Sequence, residues 1–230
     1  MESVPAGEVD HEVGRQAKEF LGEGYDKIAA FGDALAAEGV LRGLIGPREL
    51  PRLWERHLLN SASLLPFLPA AGTVVDVGSG AGLPGLVIAC ARPDLEVVLV
   101  EPMERRATWL REMAQLLELD AVTVVQRRAE EVHGELEADV VTARAVAPLD
   151  RLMTWCFPLV RVGGSLLAMK GSRAQDEVDA AASLIERLGG APAELLRAET
   201  IAGVEPTGLV RVVRVRPAPP ARKPKRPRRR

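Results

Sequence analysis

Apolar and polar positions along the chain change rhythm near residue 70. Before it the spacing is helical: Val9, Val13, Ala17 and Phe20 repeat on one face, and so do Tyr25, Ile28 and Leu35, with Gly22 and Gly24 as the break. These positions predict two helices over residues 8 to 38. Pro47 is expected to open a third, carrying Leu50, Leu53, Trp54 and Leu58 on one side, and Pro66 and Pro69 end the segment.

From Thr73 onward, short β-branched runs alternate with helical stripes, the pattern of a doubly wound parallel sheet. Strands are predicted at residues 73–77, 95–100, 122–126 and 138–143. Met103, Ala107, Leu110, Met113, Ala114 and Leu117 are the expected buried stripe of the helix after the second strand. Gly163-Gly164 is read as a turn into a fifth strand ending at Lys170-Gly171. A helix carrying Val178, Ala181, Ile185 and Leu188 follows, and residues 194–201 and 209–215 are expected to pair as closing strands. The division expected is a helical N-terminal extension over 1–70, an α/β domain over 71–216 and a tail over 217–230.

Candidate chemistry concentrates after the first strand. Gly78, Gly80, Gly82 and Gly85 fall within eight residues, let the backbone turn sharply, and remove side chains that would keep a ligand away. Pro84 is suited to the first turn of the helix that continues through Leu86–Ala91. Gly80-x-Gly82-x-x-Gly85 also matches the dinucleotide fingerprint. Asp76 bears on the choice of ligand, because a carboxylate at the strand's end repels a pyrophosphate and suits a phosphate-free cation such as S-adenosyl-L-methionine. Glu101, about twenty residues past the first glycine, is placed to accept hydrogen bonds from a ribose in either ligand. An NAD-dependent oxidoreductase therefore remains an alternative, as does a non-catalytic RNA-binding protein.

Composition narrows the class. The chain has 230 residues, 47% hydrophobic and 27% charged, which suits one sizeable core. No apolar run approaches a membrane span, and the first residues lack a basic and an apolar signal region, so a cytoplasmic location is expected. Cys90 and Cys156 sit in apolar stretches and read as buried free thiols. With His11, His57 and His133 scattered, no metal is expected. The net charge of −2 hides an asymmetry: residues 211 to 230 hold ten Lys or Arg and no acid, leaving −12 on residues 1–210. The Arg/Pro run from Arg222 is read as a solvated tail whose natural partner is a polyanion such as RNA, or simply as a solubilising tail.

Asp76-Val77-Gly78-Ser79-Gly80-Ala81-Gly82-Leu83-Pro84-Gly85, Arg56-His57, Arg144-Ala145 and Lys170-Gly171 occur in this order. On these residues the chain resembles, over about 15–215, the bacterial small-subunit ribosomal RNA guanine-N7 methyltransferases, the glucose-inhibited division protein B family. The resemblance implies a Rossmann-like class I S-adenosylmethionine-dependent methyltransferase sheet with a helical N-terminal extension. It also implies methyl transfer to N7 of a guanosine in 16S ribosomal RNA of the small ribosomal subunit. Carried onto this chain, Gly78 and Leu83 contact the cofactor, Ala129 and Glu130 hold the adenine edge, and Arg144 sits near the methionine end or the entering base. His57 and Lys170 join Arg144 as expected catalytic residues, His57 reading either as a buried, hydrogen-bonded histidine or as part of the substrate pocket. Arg127 and Arg128 are read as solvated, and Trp54, Trp109 and Trp155 as core. Asn60 stands where many members carry Asp, and the Arg/Pro tail lies outside the family pattern. The protein is expected to act as a monomer, away from membranes.

Overall fold

The computed structural model describes residues 11–217; the expected helical position Val9 and the tail from residue 218 onward lie outside them. A seven-stranded sheet forms the centre: β1 (Gly72–Val77), β2 (Leu95–Val100), β3 (Val122–Val125), β4 (Ala138–Arg144), β5 (Val160–Lys170), β6 (Glu194–Ala198) and β7 (Thr207–Val213). Their order is β3-β2-β1-β4-β5-β7-β6. The first five are parallel, and β7 runs antiparallel between β5 and β6. Chain order reverses between β1 and β4, and in such sheets ligands bind at the carboxyl ends beside that point.

Period-two alternation sends side chains to two cores. Val74, Val97 and Leu99 join one, with Ala17, Ile28, Phe31 and Leu35 from α1 (His11–Leu21) and α2 (Tyr25–Glu38). Val75, Val77 and Val100 join the other, against α6 (Leu149–Trp155) and α7 (Ala174–Arg187). The N-terminal helices thus complete one face of the sheet, where α4 (Gly85–Ala91) and α5 (Glu104–Leu116) also lie.

Four expectations need correction. The third helix is irregular: residues Pro47–Arg52 form a 3₁₀ segment, Trp54–Leu59 take the wider π-turn, and only Asn60–Ala62 (α3) is α-helical. Pro51 lies inside it, and a proline without an N–H cannot continue an α-helical ladder. Leu53 and Leu58 stay buried while His57 turns off their seam. Met103 is 46% exposed and precedes α5 in extended conformation, so it leaves the stripe formed by Ala107, Leu110, Met113 and Leu117. Gly163 and Gly164 lie inside β5, not before it. Gly163 has φ +87°, and a Cβ on Gly164 would sit 2.6 Å from the Asp139 carbonyl oxygen, so only glycine allows β5 to bulge this close to β4. Trp54 and Trp155 are only partly buried, Trp54 stacking on Tyr25 at 5.6 Å.

Trp109 is wholly buried, and its Nε1 donates to the Ala81 carbonyl of the glycine loop at 2.9 Å. Trp109→Ala is expected to cost about 3–5 kcal/mol of stability. Trp109→Phe keeps most of the packing and loses the hydrogen bond, at about 1–1.5 kcal/mol. Urea denaturation of the two variants checks the order.

Candidate active site

The loop after β1 is held from several sides. Gly78 N–H donates to the Val100 carbonyl at 2.8 Å, tying the loop's start to β2. The Ser79 hydroxyl donates to the Asp76 carbonyl at 2.9 Å. Gly80 N–H donates to Glu101 Oε2 at 3.0 Å, and Gly85 N–H to Asp76 Oδ2 at 3.0 Å. The conformation demands glycine: φ is +70° at Gly78, +55° at Gly80 and +103° at Gly82. A Cβ on Gly78 would also lie 2.8 Å from Val146, which reaches over from the end of β4.

Asp76 and Glu101 are both buried, in different ways. Glu101 also accepts from Met103 N–H at 2.9 Å and lies 4.0 Å from Arg106. Its carboxylate is thus fixed at the carboxyl end of β2, with lone pairs left over for hydroxyl donors. Asp76 lies fully enclosed behind the loop, and its Oδ1 has no hydrogen-bond partner. Burial raises its pKa to about 7, against the opposing pull of Gly85 N–H, Ser79 and Arg144. Asp76 therefore braces α4 through Gly85. A glycine-rich loop, a ribose-type acceptor and a buried carboxylate fit the ribose and the cationic amino-acid end of S-adenosylmethionine.

Of the remaining expected cofactor residues, Leu83 lies in the loop itself, and Ala129 and Glu130 follow β3. Leu83 is buried, its side chain in the core beneath. Ala129 is buried and Glu130 exposed, both on a 3₁₀ turn (Ala129–Val132) beyond β3. Arg127 pairs with Glu135 at 2.6 Å on the surface.

On the other side of the β1/β4 boundary lies an open cleft of about 770 Å³. Its walls are the 49–60 segment, the ends of β4 and β5, and the loop leading into β7. Arg144 stands at its inner edge. Its Nη1 donates to Asn60 Oδ1 at 3.1 Å and to the Arg56 carbonyl at 3.2 Å, and its Nη2 meets His57 Nδ1 at 3.0 Å. All three acceptors are neutral. Burial lowers the Arg144 pKa, while Asp76 and Glu49 work in the opposite direction.

Since His57 Nδ1 accepts from Arg144, its Nε2 carries the proton and donates to Glu49 at 2.9 Å. Burial, then the charge of Arg144, hold His57 below the ordinary histidine pKa, against the pull of Glu49. Both expectations for His57 meet here: it is half-buried and hydrogen-bonded, and it lines the cleft. Asn60 Nδ2 donates to Thr207 Oγ1 at 2.6 Å, joining the helical segment to β7. Neither Glu49 nor Thr207 stood out in the sequence, because both act only through contacts across the fold.

Lys170 is held by contacts within the protein. Its side chain is 8% exposed, pairs with Glu177 at 2.7 Å and donates to the Ala147 carbonyl at 2.6 Å. It ties the loop after β4 to α7. Cys90 and Cys156 are free and buried, and burial pushes both thiols up to about 12. Among the described residues no cluster of His, Cys, Asp or Glu could hold a metal, and no helix is long and apolar enough to cross a membrane.

A family model described as rRNA small subunit methyltransferase G matches residues 25–199. The chain is 57% identical over 166 residues to the ribosomal RNA small subunit methyltransferase G of Beutenbergia cavernae, an alignment covering 72% of this chain and 78% of that protein. It is 48% identical over 220 residues to the protein of the same name from Thermobifida fusca, covering 92% of each. Among solved structures, the ribosomal protein L11 methylase from Lactobacillus delbrueckii subsp. bulgaricus shares the fold with a TM-score of 0.51 at 16% identity, over 68% of this chain and 76% of that one. With most of its length matched at such identity, the chain belongs to the rRNA small subunit methyltransferase G family.

Proposed function

We propose that this protein transfers the methyl group of S-adenosylmethionine to N7 of a guanosine in 16S ribosomal RNA. The observation that carries the reading is a juxtaposition at one sheet edge. A glycine-rich loop backed by Asp76 and Glu101 sits over β1 and β2, and a nucleotide-sized cleft opens beyond Arg144 at the ends of β4, β5 and β7. Family membership supplies the nucleic-acid class of the substrate.

Bound S-adenosylmethionine supplies an electrophilic methyl carbon on a positively charged sulfur. Guanine N7 holds a free lone pair at neutral pH, so no side chain has to remove a proton before attack. The chain's residues chiefly have to align the reactants, an effect worth roughly 7–11 kcal/mol in favourable systems. Glu101 fixes the ribose end. Arg144, held by Asn60, His57 and the Arg56 carbonyl, keeps two of its five N–H groups without a partner among the described residues, and these can donate to the guanine O6 edge. Arg144 is thus the proposed substrate-contacting residue, with His57, Glu49 and Lys170 positioning it and the loop after β4.

Asp76 makes cofactor binding depend on pH. Its folded pKa is about 7 because burial opposes the charge, so raising pH through 7 ionises it and strengthens its attraction for a cation. S-adenosylmethionine affinity, measured by titration calorimetry, is therefore expected to rise between pH 6 and 8, while Asp76→Asn flattens the profile. Glu101→Ala removes hydrogen bonds to a charged acceptor and is expected to weaken cofactor binding by tenfold or more, at about 1.5–3 kcal/mol per bond.

The substrate assignment is checked in cells. Mapping 7-methylguanosine in 16S RNA with and without the gene is expected to show one site lost in the deletion strain and restored by the wild-type gene but not by Gly78→Arg. Unchanged modification in the deletion strain refutes the assignment.

A further inference from the structure

Two arginines on different elements of the cleft's lining are unengaged. Arg52 stands on the irregular segment of the N-terminal extension, and Arg197 on the edge strand β6, in register with Gly208 at the start of β7. Both are exposed. Among the described residues neither side chain makes a hydrogen bond or an ion pair; Arg52 only feels Glu49 at longer range. Of the other cations of the cleft, Lys170 pairs with Glu177 and Arg56 with Glu49 at 3.8 Å, while Arg144 spends three of its five N–H groups on neutral acceptors within the protein.

A cleft with hydrogen-bond donors and acceptors left over on Arg144, Glu55 and Glu205, and with two exposed, unpaired guanidiniums in its lining, suits a guest that is polar and uncharged in the middle and anionic at its ends. One nucleotide within a strand has that form, with a base between two phosphates. The volume of about 770 Å³ lies in the range of sites for small organic ligands and is far too small for a helix. The acids that also line it, Glu55 and Glu205, would repel a phosphate but can accept from the N1–H and N2–H₂ donors of a guanine. In an A-form helix the deep, narrow major groove that holds N7 is closed to side chains, so a base to be modified there has to leave the stack or begin outside it.

We propose that the cleft holds a single nucleotide extruded from ribosomal RNA, with Arg52 and Arg197 taking the phosphates on its two sides. The identity of the guest rests on the methyl-transfer reading above; the place where it sits does not. The N-terminal extension then supplies half of the RNA clamp in addition to completing the core, and the β6–β7 hairpin supplies the other half.

Binding of 16S RNA and of small ribosomal subunits, both taken from the deletion strain, to the full-length protein with S-adenosylhomocysteine tests this. Arg52→Ala and Arg197→Ala are each expected to reduce the slope of log affinity against log salt by about 0.7, the value for one phosphate contact on a single strand. Each is expected to weaken binding several-fold at moderate salt, with S-adenosylhomocysteine affinity unchanged. Arg52→Lys and Arg197→Lys should restore most of the loss, since a phosphate accepts any cation of similar reach. Arg111→Ala, on α5 outside the cleft, should keep the wild-type slope. Wild-type affinity and slope in both alanine variants would overturn the proposal, and so would failure of the wild-type protein to bind either probe. If the variants lose binding as expected but no 7-methylguanosine forms with active cofactor, the clamp stands and the reaction assigned to it falls. If methylation proceeds in both variants with wild-type KM for RNA, the reaction stands and the clamp falls.

Discussion

The hydrogen bond from Gly85 N–H to the enclosed carboxylate of Asp76 is the constraint on which the site depends. It joins the end of β1 to the start of α4 and sets the path of the loop between them. Three glycines at positive φ give the loop its turns without strain, but glycine's freedom also means that its surroundings have to fix the shape. Here Glu101 grips Gly80 from β2, Trp109 grips Ala81 from α5, and a Cβ on Gly82 would fall 2.4 Å from Leu86 and 3.1 Å from Phe31. Phe31 belongs to α2, so the N-terminal extension reaches the underside of the loop. Core packing and ligand geometry are therefore one problem at this point in the chain.

Sheet topology then divides the labour. The loop backed by Asp76 and Glu101 lies over β1 and β2, the cleft lies over β4, β5 and β7, and the reversal of strand order between β1 and β4 separates the two. Arg144 ends β4 on that boundary, and the next residue, Ala145, has φ +55° without being glycine. That sparsely populated conformation turns the chain sharply after Arg144 and leads it to Val146, which caps Gly78. Lys170 holds the far side of the same turn through the Ala147 carbonyl and Glu177. The lysine's charge maintains a loop, which explains why so polar a group is almost wholly enclosed.

What could be read in the sequence follows from the range of the interactions. The bounds of β2 are legible to the residue and those of β1 to within one, because β-branched runs interrupted by a single acid, Asp76 in β1 and Glu96 in β2, still read as strands, and Glu101 is the acid that ends the second. The glycine loop was equally legible, since no other residue tolerates its angles. His57 was ambiguous because its direction depends on the π-turn, which a periodicity of 3.6 does not reveal. The partners of Asn60 and Arg144 were out of reach: Asn60 meets Thr207 across 147 positions, and Arg144 meets His57 across 87. Met103 failed for a local reason, as the extended residue before a helix does not share the helix's face.

Asn60 gives the electrostatics of the site their particular balance. A carboxylate at this position would neutralise Arg144 directly, whereas the amide only accepts one of its N–H groups and passes a second bond to Thr207. The guanidinium charge is then opposed chiefly by Asp76 and Glu49 at longer range, and burial works against it. Asp76 in turn is drawn toward ionisation by Arg144 and away from it by Glu101 and its own burial. One enclosed carboxylate thus faces two ways: its charge opposes that of Arg144 across the β1/β4 boundary, and its Oδ2 holds Gly85 N–H at the start of α4, so the cleft and the glycine loop share one buried acid.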